Sequence, residues 1–148
     1  MKYIECPDIY EGSLKRLFIA GGITGCSDWQ KDLVSLLQPI NIAVFNPRRA
    51  NFPINDPTAA ESQIIWEHTQ MKNADFISFW FCPETLNPIV LYELGYWMKS
   101  EKPIVIGAHL EYKRLTDVII QTRLARPNLK VVNTIEGLAA QIVNTIRA

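Results

Sequence analysis

Phe76-Ile77-Ser78-Phe79-Trp80-Phe81 is an unbroken apolar and aromatic run. After it, Asn87-Pro88 places a good N-cap ahead of a proline at the first helical position. This opens Ile89-Val90-Leu91-Tyr92-Glu93-Leu94-Gly95-Tyr96-Trp97-Met98 as a helix running to about Lys99. Pro103-Ile104-Val105-Ile106-Gly107 then reads as another strand. Strand, helix and strand in this order make a β-α-β unit. Continuous apolar strands suit a parallel sheet covered on both faces.

The pattern extends in both directions. Upstream, Leu17-Phe18-Ile19-Ala20 is a buried strand ending in Gly21-Gly22, and Ile42 to Phe45 is a second, closed by Asn46-Pro47. Downstream, Leu129 to Val132 is a short fifth. Ser27-Asp28-Trp29-Gln30 carries a capping-box signature before Leu33, Leu36 and Leu37. Ala59 to Asn73, Thr116 to Leu124 and Ile135 to Arg147 supply further helices. β-α repeated five times predicts an α/β fold, a doubly wound five-stranded parallel sheet with helices on both faces and right-handed crossovers. Ligands of such sheets sit beyond the carboxyl ends of the strands, where strand order reverses. The Pro-rich stretch Asn46 to Pro57 is the one long loop, and long loops in compact domains are often functional.

Composition bounds the function. The 148 residues hold 15 Lys+Arg against 15 Asp+Glu, a formal charge of zero, and 48% are hydrophobic. That excludes disorder and gives no charge excess for wrapping a nucleic-acid polymer or an anionic bilayer. One domain over residues 1–148 is expected, with residues 1–14 as an N-terminal extension. Cys6, Cys26 and Cys82 are odd in number and far apart, suggesting neither a disulfide framework nor a zinc site. With no apolar run near the roughly 20 residues of a membrane span, and acids and Pro7 in place of a signal sequence, a soluble cytoplasmic domain is expected.

Several residues fall where a ligand would sit. Gly21-Gly22-Ile23-Thr24-Gly25 lets backbone amides approach a ligand, or is simply a tight strand-to-helix turn. It lacks the P-loop lysine and the dinucleotide-binding spacing. Glu93 interrupts a helix that is apolar on all sides, so its carboxylate is expected in a partly desolvated cleft with a raised pKa. The alternative is a structural glutamate bonded to backbone or paired with an arginine. Glu93 lies about one and a half turns past Asn87, so it can point back toward the strand ends. Glu67 shares a helical stripe with Gln63 and Gln70, which on spacing alone reads as a solvated face. Asn46, Arg48 and Arg49 at a strand's carboxyl end suit a phosphate or carboxylate, and Tyr112, Arg114 and Asp117 could act similarly. His68 and His109 read as hydrogen-bonding or surface residues. Trp29 and Trp66 could stack on a base, or pack in the core.

Leu17 to Gln30 (L-F-I-A-G-G-I-T-G-x-x-x-W-Q), F-N-P-R-R, I-I-W-E-H, N-A-D-F-I-S-F-W-F and above all N-P-I-V-L-Y-E-L-G closely resemble the nucleoside 2-deoxyribosyltransferase-like family. The likeness continues through K-P-I-V-I-G and Y-K-R-L-T-D-V-I-I-Q-T, spanning residues 17 to about 124. It implies a flavodoxin-like fold and cleavage of the N-glycosidic bond of a nucleoside or nucleotide. The sugar then passes to another base or to water. Glu93 falls on the nucleophile, Glu67 on an acidic residue near the leaving base, and Asn87 on the position that holds sugar hydroxyls. Asp117 falls near a residue that a neighbouring subunit contributes to the sugar's 5′ end, so a homo-oligomer with shared sites is implied. Trp80, Tyr96 and Trp97 are candidates for the contact. Phe18 stands where well-studied transferases carry a tyrosine, and Asn87 replaces an aspartate. Gly21, Gly22, Trp66, Arg48, Arg49 and Arg114 complete the expected substrate-binding set. No metal or organic cofactor is required. A nucleotide-binding module without turnover is the alternative in another class.

Overall fold

A computed structural model describes residues 1–148. In chain order the elements are β1 (Lys2–Glu5), β2 (Arg16–Gly21), α1 (Trp29–Leu37), β3 (Ala43–Asn46), α2 (Ala59–Asn73) and β4 (Phe76–Phe81). They continue as α3 (Pro88–Met98), β5 (Ile104–Ala108), α4 (Leu115–Ala125), β6 (Val131–Val132) and α5 (Ile135–Arg147). The strands form one parallel sheet in the order β1-β3-β2-β4-β5-β6.

The expected α/β architecture is present with six strands in place of five. The additional strand, β1, is an edge strand paired only with β3, Ile4 lying against Phe45. Of Lys2-Tyr3-Ile4-Glu5 only Ile4 is buried, so no apolar run announces it. A half-exposed edge strand needs only one inward side chain, and its partner's hydrogen bonds do the rest. Without β1 the order is β3-β2-β4-β5-β6, the flavodoxin-like arrangement, in which the order reverses between β2 and β4.

Each central strand feeds two cores by simple alternation. Leu17 and Ile19 of β2 face α1 and α5, where Trp29, Leu33, Leu138 and Ile142 pack. Phe18 and Ala20 face the other way, toward Trp66 of α2, Leu94 and Trp97 of α3 and Val118 of α4. Phe18, Phe45, Phe79 and Phe81 are fully buried, each such side chain stabilising by about 1.5–3 kcal/mol relative to exposure.

Local signals were placed to within a residue or two. Asp28, rather than Ser27, caps α1, its side chain accepting from the Lys31 amide. β6 is shorter than the expected Leu129–Val132; Leu129 instead follows a turn and packs against the core. Trp80 and Trp97, expected at a subunit contact, are buried inside the protein. Tyr96 alone of the three is exposed, and it shares the outer face of α3 with Ile89 and Tyr92. No helix is long and apolar enough to cross a membrane.

Candidate active site

Between the carboxyl ends of β2 and β4 the chain is drawn together by a glycine. Trp29 Nε1 and Gln30 Nε2 of α1 both donate to the Gly22 carbonyl, at 2.9 and 3.2 Å, and fix the turn after β2. A Cβ at Gly22 would collide with Asn87 Oδ1 and with the sulfurs of Cys26 and Cys82. Only a residue without a side chain lets the two strand ends meet here.

Asn87 makes the matching turn after β4. It adopts the left-handed conformation, φ 49°, which asparagine tolerates better than most residues. It occupies the N-cap position of α3 as expected, but its side chain does not cap the helix. Its Nδ2 donates to the Cys82 and Thr85 carbonyls, at 3.2 and 3.0 Å, and its Oδ1 accepts from Thr85 Oγ1 at 3.3 Å. Both amide protons are thus used, and Oδ1, which also lies against the sulfurs of Cys26 and Cys82 at 3.6 and 3.2 Å, can meet a ligand only as an acceptor.

Beyond these turns lies a cavity of about 310 Å³, at the small end of ligand pockets, which run from roughly 300 to 1,000 Å³. Phe18, Gly21 and Gly22 form one wall, Asn87 and Val90 another. Glu67 enters from α2 and Glu93 from α3. The two carboxylates therefore share one compartment, and no lysine or arginine lines it.

The electrostatics follow from that arrangement. Glu93 is pushed up from 4.5 to about 8, first by burial and then by the negative charge of Glu67. No hydrogen bond to a protein group offsets this, so its oxygens are left to the cavity. Glu67 is also raised by burial, opposed by a hydrogen bond from Gln63. The solvated face expected for Glu67, Gln63 and Gln70 is a correction: Gln70 is buried and Glu67 looks into the cavity. Helical spacing shows which residues share a face, and the sheet decides what that face meets.

Other expected ligand contacts lie elsewhere. Arg48 is occupied by the protein itself: its guanidinium donates to the Ser27 and Cys26 carbonyls and to Gln30 Oε1, at 2.8, 3.1 and 3.0 Å. It locks the loop after β3 to the start of α1. Asn46, Arg48 and Arg49 line a larger polar hollow of about 590 Å³ at the ends of β1 and β3, apart from both cavity carboxylates. Asn46 is buried there, donating to Tyr3 Oη and accepting from the Arg48 amide. Trp66 and Trp29 are core residues; Trp66 Nε1 donates to the Asp8 carbonyl. Tyr112 is buried, its hydroxyl donating to the Leu86 carbonyl. Arg114 and Asp117 pair with each other on the surface at 3.5 Å.

The cysteine expectation is overturned. Cys26 and Cys82 are joined as a disulfide, with Cα atoms 6.4 Å apart. Their separation of 56 residues conceals the fact that they follow neighbouring strands β2 and β4. Glu84 lies beside the pair, but sulfurs bonded to each other offer no thiolates to a metal ion. Cys6 is a free, buried thiol, raised to about 11 chiefly by that burial.

The sequence profile of the nucleoside 2-deoxyribosyltransferase-like family matches residues 14–112, more than half of the chain. The protein belongs to this family. Within the family's span lie β2 to β5 and every residue that lines the cavity between Glu67 and Glu93. Arg114 and Asp117 lie beyond it. No curated protein sequence matches the chain. Sequence reasoning missed Ile64 as a wall of the cavity in this family member, and Gln63 as the partner of Glu67. The only available signal was the i, i+4 spacing of Gln63 and Glu67.

Proposed function

We propose that the protein cleaves the N-glycosidic bond of a nucleoside through a covalent sugar–Glu93 ester and transfers the (deoxy)ribosyl group to another nucleobase. The observation that carries this reading is the pair of carboxylates in one cation-free cavity at the switch point of the sheet. Membership of the nucleoside 2-deoxyribosyltransferase-like family supports it.

The chemistry needs one ionised carboxylate and one proton. Burial raises both carboxyl groups, Glu93 to about 8 with a further push from Glu67, so the cavity favours keeping a proton, and in a coupled pair that proton belongs to the pair rather than to either residue. In the forward half-reaction Glu93 attacks C1′ as the carboxylate. The C1′–N bond breaks, its electron pair goes to the base, and the base takes the proton through Glu67. The negative charge of Glu93 also stabilises the oxocarbenium-like transition state. In the return half-reaction a nitrogen of the second base displaces Glu93 from C1′, and its proton goes back to the pair. Proton delivery of this kind is worth about 10²–10⁴-fold.

Cavity chemistry favours a nucleoside over its 5′-monophosphate. A phosphate would meet two carboxylates with no lysine or arginine among the lining residues, and Arg48 is held by loop carbonyls. Asn87 Oδ1 is suited to accept from a sugar hydroxyl, and Phe18 and Val90 supply apolar wall.

Transfer in preference to hydrolysis requires that water be kept from the ester. Ile64 and Ile89, each 65% exposed, line the cavity and continue into the exposed apolar face of Tyr92 and Tyr96. A second copy of the chain seated on this rim would cover the opening, in keeping with the shared sites that the family resemblance implies.

The test is chromatography of reactions with ribo- and deoxyribonucleosides and their 5′-monophosphates, with and without a second free base. A swapped nucleoside is expected, with none from Glu93→Ala. Free base alone would identify a hydrolase. Retained activity in Glu93→Ala would remove Glu93 from its role, and tight binding without product would favour a binding module.

A further inference from the structure

We infer that Gln63 is a positioning residue: its amide nitrogen, clamped between the Pro47 carbonyl and the Glu67 carboxylate, aims Glu67 at the leaving base. This rests on the glycosyl-transfer reading above. Gln63 Nε2 lies 2.8 Å from Pro47 O and 2.9 Å from Glu67 Oε1. A backbone carbonyl can only accept, so the nitrogen of the amide must face Pro47, and the second proton of the same nitrogen must face Glu67. The orientation of the amide is dictated by chemistry.

Two further features fit a role in orientation. Gln63 and Glu67 stand four residues apart on α2, where side chains meet on one face. Gln63 Oε1 is buried without any hydrogen-bond partner. An unpaired buried acceptor is a cost that a methionine or leucine at this position would not incur. The amide is thus maintained at the expense of stability, and what it secures is the direction of the Glu67 carboxylate. Through Pro47 the clamp also ties the loop between β3 and α2 to the cavity. Glu67 acts through its charge on Glu93 of α3 and on the Cys6 thiol that follows β1, and neither of these is a cation.

A leaving base that needs no proton separates orientation from mere structure. An N7-methylated purine deoxynucleoside carries its positive charge already, so the electron pair of the breaking C1′–N bond neutralises the ring without help from an acid. The experiment compares purine deoxynucleosides with their N7-methyl counterparts in wild type, Gln63→Met and Gln63→Asn. Methionine keeps the volume but removes both donors; asparagine keeps the amide but is too short to span both partners. Expected is a fall in kcat of about 10- to 100-fold on the unmethylated substrates. KM should change less than about threefold, and the single-turnover rate of base release from the methylated substrates, a step that precedes the return of any proton, should stay within about threefold of wild type. Equal loss on both substrate classes, or no loss on either, would overturn the inference. A wild type that releases base from no member of the panel would instead bring down the glycosyl-transfer reading itself.

Discussion

Glu93→Gln should abolish turnover and yet make the protein more stable at neutral and alkaline pH. The carboxyl group titrates at about 8 in the folded state against 4.5 in the reference state. The folded protein therefore binds more protons than the unfolded chain across that interval, and stability falls as pH rises through it. Below 4.5 both states are protonated and Glu93 carries no penalty; above 8 both are ionised and the penalty is full. A gap of that size corresponds to about 5 kcal/mol at the upper end of the window and about 3 kcal/mol at pH 7. Glutamine has the same shape, cannot ionise, and loses no hydrogen bond to protein because Glu93 makes none. For a chain of this length about 3 kcal/mol is a rise in Tm of roughly 6–12 °C. The assay is thermal and urea unfolding of both proteins from pH 4 to pH 9. The two curves should meet near pH 4 and separate steadily until about pH 8. A stability difference independent of pH, or a variant less stable than wild type at pH 8, would refute the assignment of Glu93 to a desolvated cavity.

Other outcomes follow from the same geometry. Glu67→Gln removes the second cause of the Glu93 shift but not the first, so the Glu93 titration should move below about 8 while staying above 4.5. Carboxyl-region NMR across the pH range would record it, and an unmoved titration would dissociate the two residues. Gly22→Ala forces a Cβ into Asn87 and the Cys26–Cys82 pair and should cost about 1–3 kcal/mol by urea unfolding, with a larger loss of kcat/KM than of stability. Tyr92→Glu, on the exposed apolar face of α3, should lower the oligomeric state measured by light scattering and shift products from swapped nucleoside toward free sugar. A wild type that is already monomeric would sink the shared-rim proposal.

Glu93 and Glu67 illustrate how far sequence reading reaches. Glu93 was legible because Ile89 to Met98 offers no polar stripe, and a lone carboxylate in an apolar helix must either be desolvated or paired. The outer face of the same helix is exposed at Ile89, Tyr92 and Tyr96, of which only Tyr96 is singled out by the sequence as surface for a contact. Spacing alone leaves Glu67 illegible, because its neighbours on the helical stripe are amides, a pattern shared by solvated faces and lined cavities; only the family resemblance singles it out. Arg48 and Arg49 read as phosphate or carboxylate ligands from their place at a strand's carboxyl end. Only the fold brings the Ser27 and Cys26 carbonyls to the Arg48 guanidinium and leaves it occupied.

The sequence by itself determined the alternation of strands and helices, the parallel sheet buried on both faces, the turns at Gly21-Gly22 and Asn87-Pro88, and the singular environment of Glu93. These depend on periodicity and on backbone preferences, which act over a few residues. Tertiary structure alone decided that Lys2–Glu5 completes the sheet, that Cys26 meets Cys82, that Glu67 shares a cavity with Glu93, and that Gln63 is clamped to Pro47. Each of those joins residues distant along the chain or turns a helical face toward something it cannot see locally. Hydrogen bonds, burial and charge coupling act through space, so their partners exist only once β2, β3 and β4 lie side by side.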